Sequence, residues 1–114
     1  KPPLPPGAKV CIVEGNPKDS SQFTMRILLP ANYIIPVHTH PVDERVTVIM
    51  GLVNLGFGDK VDSTLAKKLV AGCFYLNPSG VKHFLYTGNN TAVIQISTTG
   101  PWGINMVDDP KKEK

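Results

Sequence analysis

Four residues in this chain have the chemistry and the spacing to share a metal ion. His38 and His40 stand one residue apart, and Glu44 follows four residues after the second. His83 comes much later, in the stretch NPSGVKHF, and with it all 3 histidines of the chain are accounted for. Side chains alternate along a strand, so His38 and His40 point to one face, about 6.5–7 Å apart along the backbone. Pro41, Val42 and Asp43 then turn the chain, which lets Glu44 return beside the pair at the start of the next strand. Pro78 and Gly80 mark a tight turn that would aim the strand carrying His83. Neutral imidazole nitrogen and carboxylate oxygen suit a divalent transition ion such as Mn, Fe, Co, Ni, Cu or Zn. A lone histidine in a strand is usually a satisfied polar residue, and an HxH pair alone says little. The pair with a glutamate four residues on and a third histidine after Pro-x-Gly is far more specific.

The elements that must position these residues read as short strands. Apolar residues alternate or run in short blocks in AKVCIVEG, QFTMRILLP, YIIPVHTH, ERVTVIMG, LVNLGFGD, GCFYLNP, KHFLYTG, AVIQISTTG and INMVD. Pro36, within the third, predicts an edge position or a bend. DSTLAKKL is the one helical turn the sequence predicts, with Asp62 as its N-cap. Gly88–Asn90 carries a hairpin turn signal. Nearly ten strands with almost no helix predict an all-β sandwich or barrel. The chain divides into a proline-rich arm over residues 1–7, extended and tail-like, one domain over 8–107, and a charged tail over 108–114 that should fray.

Composition narrows the partners. With 114 residues the chain supports one domain, large enough to bury a core without staples. The net charge of +3 comes mostly from dispersed and terminal lysines, with Arg26 and Arg45 as the two arginines. Nucleic-acid binders more often cluster arginine on one face, so no nucleic-acid partner is expected. No run approaches the ~18 apolar residues that span a bilayer, so no membrane partner is expected either. The chain opens on Lys1 and not on methionine, from which a segment removed upstream is expected. Cys11 and Cys73 lie in strand-like runs and read either as two buried thiols or as one disulfide; they leave the compartment open.

The spacing of the four candidate ligands resembles that of a single-domain cupin. The first cupin motif is commonly written G-x5-HxH-x3-E-x6-G, and His38, His40, Glu44 and Gly51 fit it. The second is commonly G-x5-P-x-G-x2-H-x3-N, and Gly72, Pro78, Gly80 and His83 fit it. Asn32 stands where the first motif opens with glycine, and Thr87 where the second ends in asparagine. The resemblance covers about Ala8 to Val107 and implies a double-stranded β-helix, or jelly-roll β-barrel, with a metal in the barrel mouth. It also implies that His38, His40, Glu44 and His83 are the metal ligands. ISTTGPWGI resembles a feature of small, often exported bacterial cupins, which favours a periplasmic or secreted setting over the cytoplasm.

Four protein ligands leave an octahedral ion two positions for water, dioxygen or a bidentate substrate, whereas a tetrahedral zinc would be closed by them. Mn, Fe or Ni are therefore favoured for activity. The expected function is a metalloenzyme acting on a small oxygenated molecule, as a dioxygenase, isomerase or lyase. The alternative is a non-catalytic module that binds a small molecule or a metal. Lys82 and Arg45 flank ligands and should face solvent. Gln95 is the candidate substrate or outer contact if the face Val93, Gln95, Ser97 lines the mouth; otherwise it faces solvent. The opposite face, Ala92, Ile94 and Ile96, would then serve a homodimer interface. Ile34, Val46, Val48 and Met50 share alternation parity with the ligands and should make the pocket apolar. Trp102, Phe84 and Tyr75 read as core or interface residues.

Overall fold

The computed structural model describes residues 4–107. Ten strands follow one another: β1 Lys9–Glu14, β2 Gln22–Leu29, β3 Ile34–Thr39, β4 Glu44–Met50, β5 Leu52–Phe57, β6 Lys67–Val70, β7 Phe74–Asn77, β8 His83–Thr87, β9 Ala92–Thr99 and β10 Asn105–Met106. They form two antiparallel five-stranded sheets, in the orders β1-β2-β9-β4-β7 and β10-β3-β8-β5-β6. This is an all-β double-stranded β-helix. The helical turn shrinks to one 3-10 turn at Ser63–Leu65, where Asp62 does accept from the Thr64 amide at 2.9 Å. Lys67, Lys68 and Leu69, expected to continue that turn, belong to strand β6. Among the described residues no helix is long and apolar enough to cross a membrane.

Period-two alternation builds the core. On β2, Phe23, Met25, Ile27 and Leu29 are buried, and on β9 so are Ala92, Ile94 and Ile96. The register sets Met25 against Ile96, Ile27 against Ile94 and Leu29 against Ala92. Each of these side chains larger than alanine contributes roughly 1.5–3 kcal/mol by leaving water. Ala92, Ile94 and Ile96 are thus committed to the interior and cannot form the expected dimer face.

Four other expectations change. Pro36 bends β3, as expected, at a break in register between Ile35 and His38, but β3 is no edge strand, since it pairs with β8 and β10. Gly88–Asn90 does not close a hairpin, because β8 and β9 belong to different sheets. The arm is not wholly tail-like: Leu4 is buried in the core and the Tyr33 hydroxyl donates to the Pro5 carbonyl. Both cysteines are free, with Cys11 exposed on β1 and Cys73 half-buried, so neither the disulfide nor the pair of buried thiols holds. The charged tail, 108–114, lies outside the described residues.

One close approach has a measurable consequence. Gly56 of β5 faces Phe84 of β8, and a Cβ placed there would lie 2.1 Å from the fully buried ring. Gly56→Ala is expected to lose about 1–3 kcal/mol through overpacking, read as a lower midpoint in urea at unchanged slope.

Candidate metal centre

The fold brings the three histidines together. His38 and His83 are direct partners in the β3–β8 register. His40 leaves the end of β3, and Glu44 opens β4. The turn before β8 is tied to the loop after His40: the Gly80 amide donates to the His40 carbonyl at 3.0 Å, and the Ser79 amide to Asp43 Oδ1 at 2.8 Å. Gly80 has φ +79°, a conformation that glycine adopts at little cost. The ring centroids of His38 and His83 are 4.1 Å apart, and His40 lies 4.9 and 5.0 Å from them.

The rings are held by a shared device. His38 Nδ1 meets the Pro36 carbonyl at 2.6 Å, His40 Nδ1 the Gly103 carbonyl at 2.6 Å, and His83 Nδ1 the Val81 carbonyl at 3.0 Å. A carbonyl only accepts, so each Nδ1 carries a proton, and in the neutral form that binds a metal each ring has a bare Nε2 turned inward. The candidate ligand atoms all lie within 4.8 Å of one another. Nε2 of His40 and of His83 is buried with no hydrogen-bond partner. Orphaned buried acceptors are costly, and three imidazoles converging without a donor between them are the arrangement a cation satisfies. The cluster can hold a metal ion.

Glu44 stands beside them. Its Oε1 lies 3.2 Å from His40 Nε2, near enough for attraction between opposite charges. The same oxygen accepts from Asn77 Nδ2 at 2.7 Å, and Oε2 accepts from Trp102 Nε1 at 2.9 Å. Burial alone would raise the Glu44 pKa; His40 foremost, then Trp102 and Asn77, reverse this and hold it well below the carboxylate range. Burial pulls His40 down, and the Glu44 carboxylate more than restores it, so its pKa ends above the ordinary value. His38 falls to about 3, through burial and then the charge of His83, and His83 is also lowered by burial. Tyr75, pushed well above its ordinary value by burial and by Glu44, stays protonated.

The four side chains line a cavity of about 20 Å³, room for about one water. Its other walls include Leu4, Ile35, Tyr75, Asn77 and Trp102. Several pocket expectations are corrected here. The break at Pro36 inverts the parity before His38, so Ile35 faces the cavity while Ile34 is 51% exposed. Val46 and Val48 are buried in the core and, contrary to expectation, do not line the cavity, and a second break between Val48 and Met50 leaves Met50 exposed. Gln95 lies on the outer face of β9, where it accepts from Arg26 Nε at 2.9 Å, while Ile94 and Ile96 face the cavity. It is a surface residue and touches nothing in the site. Arg45 is exposed and Lys82 pairs with Asp59 at 3.3 Å, both on the surface as expected.

No family model matches the chain. Its fold is similar to that of a cupin-2 domain protein from Shewanella frigidimarina, with a TM-score of 0.63 and 20% identity over 80% of this chain and 79% of the other. The chain has the cupin fold. The polyketide cyclase RemF from Streptomyces resistomycificus superposes on this cupin with a TM-score of 0.77 at 16% identity, covering 97% of this chain and 78% of that one. In sequence, the cupin is 28% identical over 85 residues to a putative germin-like protein 9-2 from Oryza sativa subsp. japonica. That alignment takes in 74% of this chain and 40% of the germin-like protein, so the chain spans about two fifths of that relative's length.

Two polar neighbours of Glu44 escape the sequence reading. Asn77 ends β7, and nothing local links it to a residue 33 positions away. Trp102 reads as core, yet its indole stacks on His40 with centroids 5.5 Å apart and lines the cavity. Backbone bonds fix the segment that carries it: Gly100 N to Ser21 O at 2.9 Å and Trp102 N to Pro17 O at 2.7 Å. The one available signal was its place in GPWG, an aromatic residue between two glycines and after a proline. Tyr75 also lines the cavity, whereas Phe84 is buried away from it, as expected.

Proposed function

We propose that this cupin binds one divalent transition metal through His38, His40, Glu44 and His83, with Mn, Fe or Ni favoured over Zn, Co or Cu. We further propose that it acts on a small oxygenated organic molecule, in a reaction of dioxygenase, isomerase or lyase type. The observation that carries the metal reading is the convergence of three Nε2 atoms whose Nδ1 protons are already committed to carbonyls. When bound, such an ion supplies Lewis acidity and positions for oxygen donors. The chain's own residues do the rest. Asn77 and Trp102 fix the orientation of Glu44 and keep it ionised, and the aliphatic walls exclude water. Tyr75 keeps its proton and is the titratable group in the cavity besides the four ligands. RemF, which shares the fold, is a polyketide cyclase by name, and an oxygen-rich organic substrate is in keeping with this reading.

The second reading, a non-catalytic binding module, is favoured by the small cavity. Elemental analysis of protein purified without added metal is expected to give about one transition ion per chain, or full uptake on addition of Mn or Ni. A chain that neither carries nor takes up stoichiometric metal would overturn the proposal. Turnover of small hydroxy acids, enediols or diketones by the Mn, Fe or Ni form separates enzyme from module.

A further inference from the structure

A second, larger hollow lies against the metal cavity. It measures about 550 Å³ and is walled by Leu4, Val10, Ile12, Pro17, Met25 and Trp102. The register explains why it exists. Val10 pairs with Ile27 and Ile12 with Met25, so these β1 side chains share the inner face of their sheet. β1 is the edge of that sheet, and Val10 and Ile12 remain 51% and 47% exposed on a face that elsewhere is core. Leu4 and Trp102 line both hollows, so a wall formed by these two side chains stands between the groove and the histidine cluster.

We infer that this groove is the subsite for the apolar body of the substrate, whose single oxygenated head, a carboxylate or comparable group, passes between Leu4 and Trp102 to the histidine cluster. This rests on the metal reading above and narrows it. The inner cavity holds about one water, so the body of an organic substrate cannot enter it. The groove falls within the 300–1,000 Å³ range of small-molecule sites, which are mostly apolar with a few polar groups fixing orientation. The groove's wall includes Asn16 and Lys18, and the denser set of polar groups, the histidine cluster, lies beyond Leu4 and Trp102. The ligand class is therefore an amphipathic monofunctional acid or ketone, not a compact diacid.

The test uses the cobalt(II)-loaded protein and the series acetate, butyrate, hexanoate. Cobalt absorption reports the head, and the methyl resonances of Ile12, Met25 and Leu4 report the body. Affinity is expected to rise roughly three- to fourfold per methylene, on the order of a hundredfold from acetate to hexanoate, with the groove methyls shifting only for the longer acids. Val10→Thr/Ile12→Thr keeps branched side chains suited to a strand and is expected to cost hexanoate at least about tenfold and acetate nothing. Equal affinity along the series with unmoved groove methyls overturns the inference while leaving the metal site standing. So does a dimer that the double variant dissociates with hexanoate affinity unchanged, since the groove would then belong to a second copy. If cobalt is not taken up, the metal reading fails by itself. The groove then stands if hexanoate still shifts the methyls and falls if it does not.

Discussion

His83→Ala is expected to abolish stoichiometric metal retention, with affinity lower by more than about 100-fold. The scale follows from a comparison: losing a hydrogen-bonding partner behind a ligand typically costs 10–100-fold, and losing a ligand atom costs more. Trp102→Phe keeps an aromatic ring against His40 but removes the indole donor to Glu44, and Asn77→Ala removes the other donor. Each is expected in the 10–100-fold range. Gln95→Ala, on the outer face, is expected to change metal affinity by less than about twofold, as surface substitutions do. Competition with a chromophoric chelator, with circular dichroism to confirm the fold, measures the whole series. Ordinary binding by His83→Ala would remove His83 from the ligand set, and a Trp102→Phe protein indistinguishable from wild type would remove the positioning role of the indole.

Much of this was legible in the sequence because strand chemistry is local. Alternation in QFTMRILL and AVIQIS identifies both faces of β2 and β9, and the four ligands declare themselves by spacing. Even the two departures from the cupin motifs resolve physically. Asn32 has φ +56° and is the one residue other than glycine described with a positive φ; asparagine tolerates this left-handed conformation. The Thr87 hydroxyl accepts from the Tyr33 amide at 2.9 Å and donates to the Pro30 carbonyl at 2.7 Å, tying its strand to the turn before β3.

What failed depended on information that alternation does not carry. Alternation says that two faces exist and not which one is inside. The sequence left Gln95 open between the mouth and solvent, but the sum of three apolar side chains decides, and it turns Gln95 outward. Parity propagates only through an unbroken register, and one bulge at Pro36 exchanges Ile34 for Ile35 at the cavity. Asn77 and Trp102 reach Glu44 across 33 and 58 positions of sequence, and such contacts leave no local pattern.

Stability of the metal-free protein is expected to fall steeply as pH drops below about 6.5. His38 and His83 are held neutral by burial, His38 down to about 3, whereas in the unfolded chain each takes a proton near 6.5. The unfolded state therefore binds up to two more protons than the folded one. A histidine with a lowered folded pKa contributes stability that is present above its unfolded pKa and is lost as pH falls. The slope approaches about 2.7 kcal/mol per pH unit while both stay neutral, twice the ~1.4 kcal/mol of one site. Glu44, lowered as well, adds its own loss below its ordinary 4.5. His40 has the opposite sign. Its raised pKa stabilises fully below 6.5 and fades as pH rises through the folded value, so the optimum lies near neutrality. Against a total of about 5–15 kcal/mol, these slopes place acid unfolding below about pH 5. Urea titrations in chelator at pH 7.5, 6 and 5 measure the slope, and His38→Gln should roughly halve it. A flat profile between pH 6.5 and 5 would mean that the buried rings are charged in the folded state. The same directions fix the proton count of metal binding. Three imidazoles in water would all compete with the ion, but here two are already deprotonated at neutral pH. At pH 6.5 His40 is expected to be the main source of protons released on uptake, readable by calorimetry in buffers of different ionisation enthalpy, and release of two or more would contradict the neutral state of His38 and His83.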